Sequence, residues 1–376
     1  MLDPYSGYIP PDQLSSFRHW AAGEYVGIGV HLGSEHGLLT VIAPIEQSPA
    51  IAAGIQPGDV ILAIDRTSTE GLGVADANRL IAGQPGTSVT LTVRHVAHTA
   101  PEEIRIIRAP IKLCSVKGFR RQAADRWDFK IDPVNRIAYA RISNFHDNTA
   151  SEFDEALQQI RRWGPRGLIL DLRFNPGGSL RSAVAIADRF LTTGLIVSTV
   201  TRHRAVDEYR ARTEGTFAPV PMAVLINSRS ASASEIVAGC LQDHHRAVVV
   251  GGRSFGKGVV QSVMELAEYH AAISLTVAHY RLPGGRIIHK TPQNAHTDEW
   301  GVLPDVVVPL THQQELDIQS ARHAADVVPL ETSTAPADVV EPPPVAPAIP
   351  IDPQLAAALT AVLRQLPADD ADPTLD

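Results

Sequence analysis

The chain has 376 residues, 44% hydrophobic and 20% charged, which suits a globular protein large enough for two domains and a sizeable core. Its formal net charge of −8 and the lack of a basic cluster argue against nucleic acid as a partner. No run of about 18 apolar residues occurs, so no stretch has the length of a membrane-spanning helix, and the two cysteines, Cys114 and Cys240, sit in apolar contexts as small hydrophobes rather than disulfide partners or metal ligands.

Residues 1–23 form a lead-in, interrupted by Pro10-Pro11, with a helical patch from Leu14 to Trp20. The opening residues do not read as a signal peptide. From residue 24 to 98 the texture changes to short alternating segments separated by glycine turns. Within it stand Gly27-Ile28-Gly29-Val30, then Ser48 to Ile55, then Pro57-Gly58-Asp59-Val60-Ile61. This set resembles a PDZ domain. Such domains receive a peptide carboxylate on the backbone N–H groups of a glycine loop and add the peptide as an extra strand. Gly27, Ile28, Gly29 and Val30 are then the expected loop, and Asp76 to Ile81 lies on the helix lining the groove. The last strand, Thr90 to Arg94, runs toward the next domain, which makes Arg94 a candidate relay between the two.

Residues 99–330 read as an α/β unit whose first stretch, Thr99 to Trp127, links the domains. Arg136 to Ile142 alternates as a strand. Thr149 caps a helix with Phe153, Leu157 and Ile160 at helical spacing. Gly167 to Leu172 is a nearly continuous apolar run, the pattern of a central parallel strand. It ends in Asn175-Pro176-Gly177-Gly178, after which Leu180, Ala183, Val184 and Ala187 mark a second amphipathic helix. This β-α-β-α succession implies right-handed crossovers over a parallel sheet.

A third strand, Met222 to Ile226, leads into Ser230-Ala231-Ser232-Ala233-Ser234-Glu235 and a helix bearing Ile236, Gly239 and Cys240. Ser232-x-x-Glu235 has capping-box spacing, and a hydroxyl at a helix N-terminus also sits beside free N–H groups able to receive an oxyanion. A fourth strand, Arg246 to Val250, delivers Gly251 to Gly258, with Lys257 near its end. Both turns open at carboxyl ends of parallel strands, where active sites gather. A serine and a lysine delivered there point to a nucleophile and base.

The run from Asn227 to Gln261, with S-A-S-A-S-E-I-V-A-G, Q-D-H and S-F-G-K-G-V-V-Q, closely resembles the carboxyl-terminal processing peptidases (tail-specific proteases). The likeness extends from about Leu2 to Pro309. It implies a crotonase/ClpP-like α/β core, a mixed and mostly parallel sheet with crossover helices, carrying an inserted or N-terminal PDZ domain. It implies Ser232 as nucleophile, Lys257 as general base 25 residues later, and Gln261 as the residue orienting the lysine. It assigns one oxyanion donor to the Asn175–Gly178 turn, placed at the Gly178 N–H, and the other to the Ala233 N–H. It also implies substrates with free, unstructured C-termini, no cofactor or metal, a periplasmic or cell-envelope location and a homodimer as one available assembly. Met1 to Tyr5 lies well inside family members, so the natural amino-terminus with any export signal is expected outside this chain.

Other readings are weaker on their residues. Gly251 to Lys257 matches G-x-x-x-x-G-K, but Gly258 replaces the Mg²⁺-binding hydroxyl and Val259 to Met264 has strand character, against a nucleotide site. A purely peptide-binding scaffold predicts a lost nucleophile or base, and both are present. His244 and His245 suit a helix C-terminus without a third ligand at convincing spacing, and Asp171 and Glu235 read as structural. Residues 331–351 form a Pro/Ala-rich linker. In residues 352–376, Asp352-Pro353 starts a last helix with Leu355, Leu359, Val362 and Leu366 on one face.

Overall fold

The computed structural model describes residues 3–35, 37–45, 48–96, 100–123, 126–201, 205–326 and 352–367. The linker read at 331–351 lies outside the described residues.

The central sheet carries five parallel strands in spatial order: Ile137–Ile142, Gly167–Asp171, Met222–Ile226, Val248–Gly251 and Val306–Val307. Val116–Lys117 and Lys130–Asp132 add to Ile137–Ile142 antiparallel, so the sheet is mixed. Both faces of Ile137–Ile142, Gly167–Asp171 and Met222–Ile226 are buried, which accounts for their apolar runs, while the edge strand Val306–Val307 is exposed. One face, with Ala138, Leu168, Leu170, Val224 and Val249, packs under the helices Thr149–Trp163, Leu180–Asp188 and Ala233–Asp243. The other, with Ile137, Ile169, Leu225 and Val250, is covered by Ala358 and Val362 of the C-terminal helix Pro353–Leu363. The helix therefore docks on the body of the protein. Asp352 caps it, accepting from the Leu355 N–H at 3.0 Å.

A second, antiparallel sheet stands beside the first. Its centre is Ala271–Arg281, paired with Val259–Leu266 and with Leu195–Val200. Gly7–Ile9 also joins Ala271–Arg281. The expected lead-in is therefore part of the core. Val259–Leu266 is a strand, so no helix follows the glycine-rich turn.

The small β-rich unit holds the strands Val30–Glu35, Leu38–Pro44, Val60–Ile64, Ser88–Arg94 and Glu102–Ile107 around Ile28, Val41, Ile61, Leu91 and Val93. Glu102–Ile107 pairs along Ser88–Arg94, so the unit continues past the boundary read at residue 98. Glu24–Gly27 pairs antiparallel with Ala109–Lys112, and the Leu113 N–H meets the Gly23 carbonyl at 2.8 Å. The chain thus enters and leaves the unit side by side. It is an insertion into the core rather than an N-terminal appendage.

Candidate active site

Ser232 stands between the strand Met222–Ile226 and the helix Ala233–Asp243, in a backbone conformation of φ 55° and ψ −113°. A non-glycine residue in such a region costs on the order of 1–3 kcal/mol and persists only when its surroundings enforce it. Those surroundings centre on Glu235. Its buried carboxylate accepts the N–H of Ser232 at 2.8 Å and that of Lys257 at 2.8 Å. It also accepts the Gly256 N–H at 2.7 Å and the Ser254 hydroxyl at 2.5 Å. Burial pushes the acid up to about 7, against these four donors. One side chain therefore holds the serine turn and the lysine loop together.

The Asn175–Gly178 turn packs on the same serine. A Cβ on Gly177 would lie 2.8 Å from the Ser232 Cβ and 2.6 Å from the Ala231 carbonyl oxygen, and its φ is +100°, so only glycine fits. Asn175 shapes the turn: its side chain donates to the Ile142 carbonyl at 2.9 Å and accepts the Gly177 N–H at 2.9 Å. The Asn175 carbonyl accepts the Ala231 N–H and the Ser234 hydroxyl. Phe145 donates to the Gly177 carbonyl, and its own carbonyl accepts the Ser179 N–H at 2.6 Å. Among the described residues neither the Gly178 N–H nor the Ala233 N–H has a hydrogen-bond acceptor.

Lys257 is half-buried, and that burial draws its ammonium below the usual lysine range while the Glu235 charge opposes the shift. Among the described residues no hydrogen bond joins Lys257 Nζ to Ser232. The nitrogen lies 5.2 Å from the centroid of the Tyr5 ring. Gln261 does not meet Lys257 either: its amide donates to the Tyr5 carbonyl and, at 3.4 Å, to the Ser274 hydroxyl. Tyr5 is held by a turn in which the Asp3 carboxylate accepts the N–H groups of Tyr5 and Ser6. Asp3 also accepts the Thr276 hydroxyl at 3.1 Å.

Sequence reading missed two residues here. Tyr5 comes from the turn before the strand Gly7–Ile9, far in sequence from Lys257, and nothing in its local sequence marks it. Tyr280 lies one residue before the end of the strand Ala271–Arg281; burial pushes its phenol up to about 12, against a side-chain hydrogen bond with Ser232. Glu235 was seen only as half of a capping box. The loop after Lys290 braces the site from outside. Trp300 takes Arg253 and Lys290 on its ring at 4.4 and 4.1 Å, and a Cβ on Gly256 would come within 3.0 Å of that indole.

His244 is bonded through Nε2 to the Leu195 carbonyl at 2.7 Å, as a helix-end residue. In the small unit, Gly29 has φ +81° and the Ile28 and Gly29 carbonyls are tied inward to Ala50 and Ile45. Tyr25 lies over Gly27, with its hydroxyl against the N–H groups of Gly29 and Val30. Arg94 pairs across from Val60 in the sheet, and its side chain makes no hydrogen bond or ion pair among the described residues. A cavity of about 320 Å³ lies away from Ser232, between the small unit and the core, lined by His31, Ile45, Lys112, Glu152 and Asp326.

A mixed, mostly parallel α/β core that offers a serine at a strand-to-helix turn, beside N–H groups with no acceptor among the described residues, defines a hydrolase of the serine-peptidase kind. Residues 136–308 match the family model of peptidase family S41, and residues 40–95 match that of the PDZ domain. The chain is 37% identical to the carboxy-terminal-processing protease of Bartonella bacilliformis, over 82% of this chain and 67% of that protein. It is likewise 37% identical to the carboxyl-terminal-processing protease of a Synechocystis species, over 81% and 68%. A solved structure of a photosystem II D1 C-terminal processing protease aligns at 27% identity with a TM-score of 0.48, covering 81% of this chain and 78% of that one. The chain belongs to the carboxyl-terminal-processing proteases of peptidase family S41, serine peptidases, and carries a PDZ domain.

Proposed function

We propose that the chain is an endopeptidase with a Ser232–Lys257 dyad that selects unstructured proteins by their free C-termini and cleaves near that end. Neutral Lys257 takes the Ser232 proton as Oγ attacks the scissile carbonyl. The oxyanion is received by the Gly178 and Ala233 N–H groups. Collapse returns the proton to the leaving amine and leaves an acyl-enzyme, which water hydrolyses with Lys257 again as base. A lysine of ordinary pKa ~10.4 would be neutral at pH 7 only at a cost of roughly 4–5 kcal/mol. The burial that lowers Lys257 reduces that cost. For catalysis its side-chain nitrogen must leave the Tyr5 ring and reach Ser232 as the neutral amine, and Gln261 must turn from Tyr5 to Lys257.

One observation carries this reading: the Glu235 carboxylate ties the Ser232 turn to the Lys257 loop, beside two N–H groups that have no acceptor among the described residues. The PDZ loop Gly27 to Val30 is proposed as the carboxylate receiver, with Tyr25 displaced on binding, and Arg94 as a relay to the core. The core is read as crotonase/ClpP-like and the working compartment as the periplasm or cell envelope of a bacterium. No helix among the described residues is long and apolar enough to cross a membrane. The test is mass spectrometry of products from an unfolded protein incubated with wild type and with Ser232→Ala. Fragments trimmed from the C-terminal end by the wild type alone support the reading; identical patterns overturn it.

A further inference from the structure

The turn presenting the Gly178 N–H springs from Arg173, and Arg173 is gripped from the far end of the chain. Its guanidinium is 1% exposed. It donates to Asp352 through both terminal nitrogens, at 2.9 and 2.8 Å, and to the Gln354 side-chain oxygen at 3.2 Å. Its other edge meets Asp171, at 2.7 Å for the shortest contact. Arg322 also bonds Asp171 and donates to the Arg173 carbonyl at 3.0 Å. Two buried cations and two carboxylates thus balance at the point where the turn begins.

The turn depends on that point. Phe174, the next residue, has φ +63°, and its N–H donates to the Asn227 side chain at 2.9 Å. Gly177 and Gly178 follow at φ +100° and +140°. A segment with so many left-handed residues does not hold its shape by local preference; anchors at each end must set it. Phe145 and Asn175 anchor the glycine end. Arg173 anchors the start, and among the described residues its outer edge is satisfied only by Asp352 and Gln354. Gln354 is itself located by donating to the Val308 carbonyl at 2.8 Å. Without the Asp352 charge, Arg173 and Arg322 would share Asp171 alone in a buried site. An uncompensated buried cation moves toward water or a new partner.

We propose that Asp352, with Gln354, is a positioning residue for peptide hydrolysis: from the C-terminal helix it holds Arg173, and through Arg173 the start of the Phe174–Gly178 turn, in the shape that presents the Gly178 N–H. The inference rests on the reading of Gly178 as an oxyanion donor.

The test uses the full chain with Asp352→Asn, Asp352→Glu and Gln354→Ala. Each is measured for kcat, KM and the affinity of a peptide boronic acid, which forms a tetrahedral adduct on the serine. Asp352→Asn is expected to lower kcat ~10–100-fold, somewhat less than loss of a direct oxyanion donor. Boronate affinity should fall in parallel, KM should change less than about twofold, and thermal unfolding should stay cooperative. Asp352→Glu should recover most of the loss. Wild-type kcat in Asp352→Asn overturns the proposal, as does a kcat loss with unchanged boronate affinity. If Asp352→Asn does not fold, Gln354→Ala decides: a smaller parallel loss supports the proposal and unchanged values overturn it. Ser232→Ala is run alongside. Activity in Ser232→Ala means that the reading of the site has failed; its inactivity beside an unaffected Asp352→Asn means that only the Asp352 assignment has.

Discussion

The Glu235 carboxylate accepts the backbone N–H of Lys257 at 2.8 Å. Its charge also bears on the lysine ammonium, where burial favours the neutral base and Glu235 favours the cation. In Glu235→Gln the opposing charge is gone, so the alkaline rise of kcat/KM should move to lower pH. Glu235 itself is pushed by burial up to about 7. A second inflection near that pH in the wild type should vanish in the variant. A pH–rate profile on an unstructured peptide checks both; an alkaline limb that moves upward contradicts the first.

The same acid makes a prediction for stability. Its folded value is raised from 4.5 to about 7, so between those values the folded protein holds more protons than the unfolded chain. Stability contributed by Glu235 is present below pH 4.5 and lost as pH rises through about 7. Urea unfolding of wild type and Glu235→Gln across this window should show the wild type losing ground as pH rises. Parallel curves would contradict it.

Asp171 behaves oppositely. Burial would raise it, but Arg173 and Arg322 more than offset that and hold it well below the usual carboxylate range. Its contribution is therefore present above the ordinary carboxylate value and lost only as pH falls through the depressed folded one. Asp171→Asn leaves two buried guanidiniums short of a partner and should cost about 3–5 kcal/mol in denaturant unfolding at neutral pH.

Much of the site was legible because its signals are local. Glycines at Gly177 and Gly178, the serine turn and the glycine-rich loop before Lys257 each sit within a few residues of a strand end, and strand periodicity fixes which end that is. The unreadable parts are long-range pairings. That Glu24–Gly27 lies beside Ala109–Lys112, making the PDZ domain an insertion, follows from a strand pairing with no local mark. So does Gly7–Ile9 beside Ala271–Arg281, which brings Tyr5 to Gln261. The amphipathic face of the last helix was plain, but its sequence did not say which surface would take it.

Tyr5 should tune the lysine. Its ring shields Lys257 from water, which lowers the pKa, and offers a cation–π contact, which raises it. The second effect is about 0.5–1 kcal/mol at an exposed site, and desolvation is the influence that draws Lys257 down, ahead of the opposing Glu235 charge. Tyr5→Ala should move the alkaline limb of kcat/KM to higher pH, and Tyr5→Phe should leave it in place. A limb that moves to lower pH in Tyr5→Ala would show that the ring chiefly stabilises the cation.

For the PDZ domain, the reading predicts that amidating a substrate's C-terminus weakens cleavage severalfold or more, since the charge sought by the Gly29 and Val30 N–H groups is removed. Tyr25→Phe removes the hydroxyl lying against those groups and should tighten binding of the acid form. Equal kcat/KM for acid and amide peptides would contradict the carboxylate role.

The central claim, a serine activated by a lysine, is tested most directly by turnover of one unfolded protein by purified Ser232→Ala and Lys257→Ala, each first shown to be folded, beside wild type and His244→Ala. Because the pair acts as a unit, both dyad variants should fall to background while His244→Ala, a helix-end residue bonded to the Leu195 carbonyl, keeps nearly full activity. Full cleavage by Lys257→Ala, with Ser232→Ala silent, would contradict the account by placing the base elsewhere.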